Sequence, residues 1–546
     1  MATPTFQFTS SAYPADTFTV VDFEGTDALS SLYRFDIGLK AEASVDIDLE
    51  TLLNRTATLT LKSGQTNSYS GMLAKVEQLQ DAGGYNYYRV ALVPPVWRLS
   101  LNVRSSGFTD MTYPGIVSTV LINAGLNCSA TASANPDVLT ADVTGTDYPA
   151  RDFTCQYAES DLDFICRLME YEGIYFYFTD NSGICLMSLS DGASYPNAVA
   201  VPFTDPSSTN NYDSITQITR TLEQATVQVG VTGYDYQNVT TSVQGDYGVQ
   251  VDNNILSGSY PATWLYDHRT PDADDAARVA QVRAQEISCW ACAYSGSGAL
   301  PGLRAGSVFN LTSHPATGFN REFLVTSVTH TARNADQSWA TESYTAAQTD
   351  TTRAYYSNSF TLMPVVPGQA VVKISSSVSN MQFRPQRRVQ KPSISGVLSG
   401  KVCPLQDTSQ SSQSSQVSAA VTLATAVINL QGAPIPDYQG SSSTASIPNE
   451  NHFVLPAPPM DEQGRYKVML PFVDGTVTDG SPISAWIRMA QASAGIWTSV
   501  QYTLEPGAEV LLAFINGDPD LPVIVGSVYN GVIPAPLTST QTDPLI

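Results

Sequence analysis

The stretch Phe153-Thr-Cys-Gln-Tyr-Ala-Glu-Ser-Asp-Leu-Asp-Phe-Ile-Cys-Arg-Leu-Met-Glu-Tyr-Glu-Gly-Ile-Tyr-Phe-Tyr-Phe178 predicts a helix followed directly by a strand. Ser160 is placed to cap the helix, with Asp163 three residues on as in a capping box, and Gly173 is placed to end it. The predicted apolar face consists of Leu162, Ile165, Leu168 and Met169. Residues 174–178 then predict a buried strand that pairs with residues 185–189 across a turn.

Short strands are predicted on both sides of this stretch. Before it, apolar–polar alternation marks strands at 18–23, 33–37, 57–61 and 88–93, and Pro114 begins a helix that stops at Gly125. After it, strands are predicted at 225–229 and 323–329, with a helix from Asp272 to about Ile287 between them. Four more strands, at 465–470, 483–489, 509–514 and 523–528, suit a small OB-type barrel.

These elements predict a mainly β fold with a helical insertion. The expected domains are a first β domain, a compact barrel or sandwich (1–100), a helix-containing α/β insertion (101–205), a second β domain (206–345), an extended linker (346–395), an OB-fold domain (396–535) and a tail (536–546). The OB domain contains a Ser/Gln-rich insertion at 404–450, expected to be flexible with one strand at 420–430. The basic cluster at 383–392 is interpreted as a solvated linker that neutralises acidic neighbours.

Composition excludes several partner classes. The chain has 27 basic and 50 acidic residues, a net charge of −23, and only 14% charged residues. Such sparse cations do not form a nucleic-acid groove or bind an anionic membrane surface. No apolar run approaches the length of a membrane span, and the first residues lack the pattern of a signal peptide. With 27 Tyr, 19 Phe and 6 Trp, low charge instead indicates extensive surface buried against other chains.

No catalytic constellation is evident. The four histidines are far apart, and Cys289 and Cys292 have zinc-like spacing without a second pair, which favours reduced core cysteines over a metal or redox pair. No Gly-x-Ser-x-Gly elbow is present, and Val402 breaks a phosphate-binding loop after Gly400-Lys401. Stabilisation by the helix dipole explains Asp161 and Asp163 better than acid–base chemistry. The sequence does not exclude a glycosidase-like pair of catalytic carboxylates, but no feature of it favours such a pair. We therefore expect no catalytic residue, cofactor or metal.

Residues 153–178 closely resemble the segment by which VgrG proteins, the spike components of bacterial type VI secretion systems, are recognised. Residues 464–468 resemble the start of that family's OB domain, residues 517–530 its closing strand, and residues 303–309 and 323–330 its second hub barrel. The motif positions to which the resemblance gives structural roles are Asp161, Leu162, Asp163, Phe164, Glu172, Gly173, Gly464, Arg465, Gly517, Asp518, Pro519, Asp520, Pro522 and Gly526.

The resemblance implies a homotrimer in which two tube-like barrels per chain form a hub on the Hcp tube and the OB domain narrows it into a spike. It further implies a PAAR-type tip protein, effectors and other baseplate proteins as partners, no enzymatic activity, and assembly in the cytoplasm before secretion through the contractile apparatus. The equivalent spike of an extracellular injection particle or phage tail is the alternative, and a cell-wall hydrolase is disfavoured.

Three departures from the family pattern stand out. Tyr171 replaces a more charged stretch and indicates a drier contact. The 404–450 insertion has no counterpart in the family. The sequence stops at Ile546 without the short-period repeat of a β-helix needle, which implies either a naturally short spike or a chain cut before the needle.

Overall fold

A computed structural model describes residues 4–53, 55–63, 66–79, 81, 84–131, 136–143, 148–181, 183–192, 198–207, 213–251, 254–258, 260–334, 355–365, 382–403, 460–473, 484–495 and 500–535. The chain forms two compact units. Unit 1 comprises Met1–Arg104, Asp110–Arg151 and Ala158–Lys391, and unit 2 comprises Ser105–Thr109, Asp152–Tyr157 and Pro392–Ile546. The 404–450 insertion, with its predicted strand at 420–430, lies outside the described residues, as does the tail at 536–546.

Strands dominate the described chain. Up to residue 111 they are β1 (Thr5–Ser10), β2 (Thr19–Ala28), β3 (Arg34–Glu42), β4 (Thr56–Lys62), β5 (Thr66–Gln78), β6 (Tyr85–Val93) and β7 (Val103–Met111). The next are β8 (Cys128–Ser129), β9 (Val138–Asp142), β10 (Arg151–Ser160), β11 (Tyr175–Asn181), β12 (Ile184–Ser190), β13 (Val199–Pro202), β14 (Ile215–Leu222), β15 (Gln228–Thr232), β16 (Gln244–Gly248), β17 (Gln250–Val251) and β18 (Asn254–Ile255). The last are β19 (Ala262–Tyr266), β20 (Cys292–Gly298), β21 (Val308–Thr312), β22 (Glu322–Arg333), β23 (Tyr355–Pro364), β24 (Leu398–Val402), β25 (Arg465–Met469), β26 (Ser484–Met489), β27 (Glu509–Phe514) and β28 (Pro522–Val528).

Four α-helices occur in the described ranges: α1 (Leu49–Leu53), α2 (Tyr113–Asn123), α3 (Asp161–Glu172) and α4 (Ala273–Ala291). In α2 the Thr112 side chain caps the N terminus, proline lies in the first turn, and Gly125 follows with a φ of 83°. The prediction from Pro114 and Gly125 is therefore confirmed. Helices of these ranges are too short or too polar to cross a membrane.

Unit 1 is built on a 12-stranded sheet. Its main path runs β1-β4-β5-β6-β3-β2-β22-β23-β20-β14, and β21 and β13 branch from β22. The antiparallel pair β2 and β22, with Asp22 opposite Arg333 and Ala28 opposite Ser327, joins strands from the two ends of the unit. Strands predicted for the first and second β domains thus share one sheet, while the boundaries at 100, 205 and 345 stay predictions.

One strand predicted in unit 1 is shifted, and one predicted linker is wrong. The strand expected at 225–229 is present as β15, which begins three residues later and extends past Gly230 to Thr232. The expected linker at 346–395 contains β23, a strand inside the sheet between β22 and β20. There Tyr356, Asn358, Phe360 and Leu362 are buried at every second position, which is the pattern of a strand with one face on a core.

A buried polar cluster links four strands of this sheet. The Tyr69 hydroxyl donates to Asp27 Oδ2 (3.3 Å) and lies 3.2 Å from His330 Nε2, while His330 Nδ1 lies 2.6 Å from the Tyr356 hydroxyl. The Arg304 guanidinium lies 4.3 Å from the centre of the Tyr69 ring. Burial, together with the charge of Arg304, lowers the pKa of His330 to about 3. The imidazole is therefore neutral and serves as a hydrogen-bonding bridge between β5 and β23.

Unit 2 contains a closed five-stranded barrel of order β24-β25-β26-β28-β27. All neighbours are antiparallel except β26 and β28, where Arg488 lies opposite Val523. Its core includes Val468, Ile487 and Val510. The OB-type barrel and its four predicted strands are confirmed, and β24 is a fifth strand that the sequence did not reveal. The mainly β fold class with a helical insertion is likewise confirmed.

The bridging role of His330 predicts a pH-dependent stability difference. His330→Gln should lower the free energy of unfolding by about 1–3 kcal/mol near neutral pH, because it disrupts hydrogen bonds inside the sheet. An unfolded histidine takes up a proton near pH 6.5, but the folded one does so only near pH 3. The difference in unfolding free energy between the wild type and His330→Gln is therefore largest above pH 6.5, and it declines as the pH falls toward 3.

Hydrogen exchange in β22 and β23 under increasing denaturant, at about pH 7.5 and about pH 4.5, measures this difference. His314→Gln, in the exposed loop after β21, is the matched control and should leave exchange in both strands unchanged. An equal loss of stability from His330→Gln at both pH values would contradict the assignment.

Candidate functional site

The caps of α3 form as the sequence predicts. The Ser160 hydroxyl accepts a hydrogen bond from the Asp163 backbone N–H (3.0 Å) and donates to Asp163 Oδ2 (2.7 Å). At the other end Gly173 has a φ of 74° and its N–H donates to the Met169 carbonyl. A Cβ on Gly173 would lie 2.8 Å from side-chain carbons of Val282 and Arg384. Both the left-handed backbone and the close approach therefore require glycine here.

The four motif residues at the start of α3 differ in burial. Asp161 is 3% exposed: its Oδ1 accepts from Arg104 Nε (2.9 Å) and its Oδ2 from Asn102 Nδ2 (2.6 Å). Phe164 is fully buried, Leu162 is half-buried and Asp163 is exposed. Asp161 thus holds the N terminus of α3 to the residues around the start of β7, beyond any interaction with the helix dipole.

A buried ion cluster lies at the C-terminal end of α3. Glu172 is 2% exposed, and its Oε2 accepts from Arg278, which also donates to Asp275 Oδ1 (2.7 Å). Arg151 donates to Asp275 Oδ2 (3.2 Å) and approaches Glu172 Oε1 at 4.0 Å. Burial raises the pKa of Glu172, while both guanidiniums act against this and favour the carboxylate. The cluster joins α3 to α4 and to the first residue of β10.

Tyr171, one residue earlier, is enclosed by arginines. Its ring lies 4.1 Å from the guanidinium of Arg269 and 4.7 Å from that of Arg387. Its hydroxyl donates to Asp267 Oδ2 (2.9 Å). Burial opposes ionisation of Asp267, but Arg269 more than offsets it and holds the pKa of that carboxyl well below its usual range. At 4% exposure, Tyr171 occupies a dry position, as predicted, with cationic neighbours that the sequence did not indicate.

The interpretation of residues 383–392 as a solvated linker is wrong. Arg384 is 9% exposed and donates to the Gly173 carbonyl (2.8 Å) and to Gln285 Oε1 (2.8 Å). Glu170 accepts from the backbone N–H groups of Arg388 (3.0 Å) and Val389 (3.1 Å). Carbonyls at a helix C terminus attract cations, so this basic segment binds the end of α3 instead of remaining in solvent.

Cys289 and Cys292 lie in hydrophobic cores, as predicted. Cys289 lies in the last turn of α4, and its thiol donates to the Gln382 carbonyl (3.0 Å). Cys292 begins β20 and belongs to a different apolar cluster. Burial raises the pKa of the Cys289 thiol to about 12. Within the described ranges, no group of three or more His, Cys, Asp and Glu side chains is arranged to hold a metal ion.

In unit 2, the motif at 464–465 forms a tight turn before β25. Gly464 has a φ of 75°, and its N–H donates to the Asp461 carbonyl. Asp461 Oδ1 accepts from the Arg465 backbone N–H (2.7 Å), and Oδ2 accepts from Arg465 Nε (2.7 Å). Arg465 also approaches Asp152 at 3.5 Å. The motif therefore fixes the chain where it enters the barrel, and it contacts a residue 313 positions earlier in the sequence.

The motif at 517–526 bonds to the same early segment. Asp520, 7% exposed, accepts the backbone N–H of Cys155 through Oδ1 (2.6 Å), and Asp518 Oδ1 accepts the Asp520 N–H (2.9 Å). Gly517 has a φ of 74°, and a Cβ there would lie 2.3 Å from Ser393 Oγ. Of two further motif residues, Pro519 is buried in the turn, and Pro522 begins β28.

Gly526 lies beside an irregularity in the pairing of β27 with β28. Phe153 and Cys155 pack in the barrel core. The two recognisable stretches of sequence therefore meet inside unit 2, which spacing along the chain could not indicate.

The Glu172 cluster predicts a large stability loss on neutralisation. Glu172→Gln should lower the free energy of unfolding by about 3–5 kcal/mol, because it leaves two buried guanidiniums, Arg151 and Arg278, with the single carboxylate of Asp275 as their counter-charge. Thermal unfolding of the full chain, followed by hydrogen exchange in α3 and α4, measures the loss. Glu24→Gln, exposed on β2, is the control. A change no larger than that of the control would show that the cluster does not stabilise the helix pair.

The Asp520 contact predicts a local effect in unit 2. Asp520→Ala should weaken the unit by about 1–3 kcal/mol, because the buried Cys155 N–H loses its acceptor. Faster hydrogen exchange is expected in β27, β28 and residues 152–157, whereas exchange in the 12-stranded sheet should not change. Glu505→Ala, exposed in the same unit, should have no such effect. Unchanged exchange at 152–157 in Asp520→Ala would refute the role of the carboxylate.

Comparison with known families gives two matches. Residues 26–336, more than half of the chain, match the phage tail baseplate hub (GPD) family. Residues 455–529 match the type VI secretion system/phage-baseplate injector OB domain.

Characterised relatives align with most of the chain. The type VI secretion system spike protein VgrG1a of Pseudomonas aeruginosa is 25% identical over 537 residues, covering 95% of this chain and 69% of that protein. VgrG1b of the same organism is 24% identical, covering 95% and 60%. The actin cross-linking toxin VgrG1 of Vibrio cholerae is 24% identical over 558 residues, covering 98% of this chain but only 43% of the toxin. The chain thus spans less than two thirds of the second and third of these relatives.

Solved structures agree on the fold. The E. coli c3393 protein, a component of the type VI secretion system with structural similarity to the T4 tail proteins gp27 and gp5, has a TM-score of 0.57 and 19% identity, covering 96% of this chain and 100% of its own. A Francisella PdpA-VgrG complex has a TM-score of 0.52 and 9% identity, covering 98% and 79%.

Proposed function

The chain belongs to the phage tail baseplate hub (GPD) family, and we propose that it is the hub and spike protein of a type VI secretion system. It acts as a homotrimer that caps the Hcp tube, contacts other baseplate proteins and carries a PAAR-type tip protein with effectors through the target envelope when the sheath contracts. It is assembled in the cytoplasm and leaves the cell through the apparatus. Its role is mechanical and uses no catalytic residue.

One observation carries this proposal: a single alignment with a type VI spike protein runs through 95% of the chain. The hub match at 26–336 and the OB match at 455–529 also occur in this order along one chain. A hub alone would support only a general baseplate role. Hub and OB domain together favour a protein that both caps a tube and begins a spike.

Surface chemistry supports the trimer. Unit 2 exposes large apolar side chains, among them Tyr502 (61%), Tyr529 (62%) and Val532 (71%). Large apolar side chains with this much exposure favour a surface that packs against other chains. The low share of charged residues, 14%, fits a chain that buries much of its surface on assembly.

The motif residues act as structural elements in this proposal. Asp161, Glu172 and Gly173 fix both ends of α3. Arg465 and Asp520 join the barrel to residues 152–157, and Gly464 and Gly517 provide the left-handed backbone of the turns beside them. A spike driven through an envelope bears load, so its local elements need such connections.

The equivalent spike of a phage tail or extracellular injection particle is the second candidate, favoured by the family description as a phage tail hub. Neighbouring genes separate the two: genes for a membrane-anchored complex indicate secretion, whereas genes for a free phage-like particle indicate the alternative.

Sedimentation of the purified chain tests the trimer. The expected mass is three times the 58.6 kDa of one chain, and the trimer should co-sediment with rings of the Hcp protein from the same genome. A monomer at micromolar concentration would contradict the hub assignment. A trimer that does not bind Hcp rings but binds a phage-type tube protein would support the second candidate.

A further inference from the structure

A small sheet of unit 1 leaves one face and one edge without a partner in the described chain. The sheet has the order β16-β15-β19. On its inner face, Val229 and Leu265 pack against Ala284 and Ile287 of α4. On its outer face, Trp264 and Tyr266 are 54% and 57% exposed. Two large aromatic side chains thus lie side by side on the outside of β19.

These aromatic side chains are held in place. The Trp264 ring lies across the backbone of Gly230 on β15, where a Cβ would be 2.3 Å from ring atoms. The Tyr266 ring packs edge-to-face on His268, with 4.4 Å between ring centres. Since neither ring needs to be ordered on binding, contact with a partner costs little conformational entropy.

The same face carries a carboxylate. Gly230 lies opposite Asp246 on β16 and opposite Trp264 on β19, so the carboxylate and the indole flank Gly230 in one row. Gln228 Nε2 donates to Asp246 Oδ2 (2.5 Å), which fixes the carboxylate on the surface. Residues 221–268 contain no Lys or Arg, so no cation of this stretch offsets the Asp246 carboxylate. Aromatic faces and a carboxylate together are complementary to Lys or Arg side chains.

The outer edge of β19 offers backbone groups for pairing. β19 pairs with β15, and no other described strand pairs with it. The Pro261 carbonyl accepts from Val227 N–H (2.8 Å), and Asp267 N–H donates to the Thr232 carbonyl (2.9 Å), so the odd-numbered positions face β15. The backbone groups of 262, 264 and 266 therefore face outward. An extended chain added there would place alternate side chains beside Trp264 and Tyr266.

From this geometry we infer that β19 accepts an extended segment of another protein as an additional strand, with Lys or Arg at every second position over Trp264 and Tyr266. The intervening positions, which lie beside Thr263 and Leu265, are small or apolar. The inference rests on β16, β15 and β19 alone and is independent of the proposed function.

A labelled peptide of alternating arginine and threonine, (Arg-Thr)4, is the probe, and fluorescence anisotropy measures its binding to the full chain. Trp264→Ala/Tyr266→Ala should weaken binding about tenfold or more, because both cation–π contacts are lost. Asp246→Asn should weaken it less and reduce its salt dependence. The matched control Tyr355→Ala, an aromatic residue 38% exposed on β23, should bind as the wild type does.

Two N-methylated probes test strand addition without altering the protein. One carries N-methyl groups on the arginine amides, the other on the threonine amides, and both keep the charge of the parent. Only one set of amides can face β19, so one methylated peptide should lose binding about tenfold or more and the other should keep it. Antiparallel addition predicts loss with methylated arginines, and parallel addition predicts loss with methylated threonines.

Several results would overturn the inference. The first is that (Arg-Thr)4 does not bind the wild type at about 1 mM, and the second is that (Glu-Thr)4 binds as tightly as (Arg-Thr)4. The third is that the double variant binds (Arg-Thr)4 as tightly as the wild type does, and the fourth is that both methylated peptides bind equally. A double variant whose only change is a smaller sedimenting mass would assign this face to a second copy of the chain instead. The peptide result and the Hcp result are separate, so failure of one leaves the other intact.

Discussion

Buried polar groups require hydrogen-bond or ion-pair partners, and at the C-terminal end of α3 this requirement determines which segments pack together. A helix leaves carbonyls unpaired at its last turn, and here that turn is buried. Arg384 donates to the carbonyl of Gly173, and the carboxylate of Glu170 accepts two backbone N–H groups of the segment that contains Arg384. Glu172 in turn is matched by Arg278 and Arg151. One helix end thereby fixes α4, the start of β10 and residues 384–389.

The same constraint organises unit 2 through a single carboxylate. Asp520 accepts the backbone N–H of Cys155, and Phe153 and Cys155 complete the apolar core of the barrel. A barrel made only from residues after 392 would lack these side chains and leave a buried carboxylate without its backbone donor. The turn of motif 517–526 is therefore shaped by a strand that belongs to a distant part of the sequence.

Local features of this chain could be predicted from sequence, and long-range ones could not. Ser160, Asp163 and Gly173 act within one helix, so their spacing was sufficient to predict both caps. The contact of Asp520 with Cys155 joins residues 365 positions apart, and no local pattern encodes it. Residues 355–364 were missed as a strand because their buried positions include Asn358. Arg384 was misplaced because a basic run suggests solvent unless the unpaired helix end that it meets is known.

Burial of cations also changes what the low charge of the chain means. Of the 27 basic residues, Arg151, Arg167 and Arg384 are buried, and Arg269, Arg278 and Arg387 lie in the cluster around Tyr171 and Glu172. Cations used inside unit 1 cannot neutralise its surface. The sheet of β16, β15 and β19 lies in a stretch without any Lys or Arg, so no cation of that stretch offsets the carboxylate of Asp246 beside Trp264. The small number of basic residues thus accounts both for the arginines buried inside unit 1 and for a surface carboxylate that no basic residue of its stretch offsets, and a basic partner strand is complementary to this face.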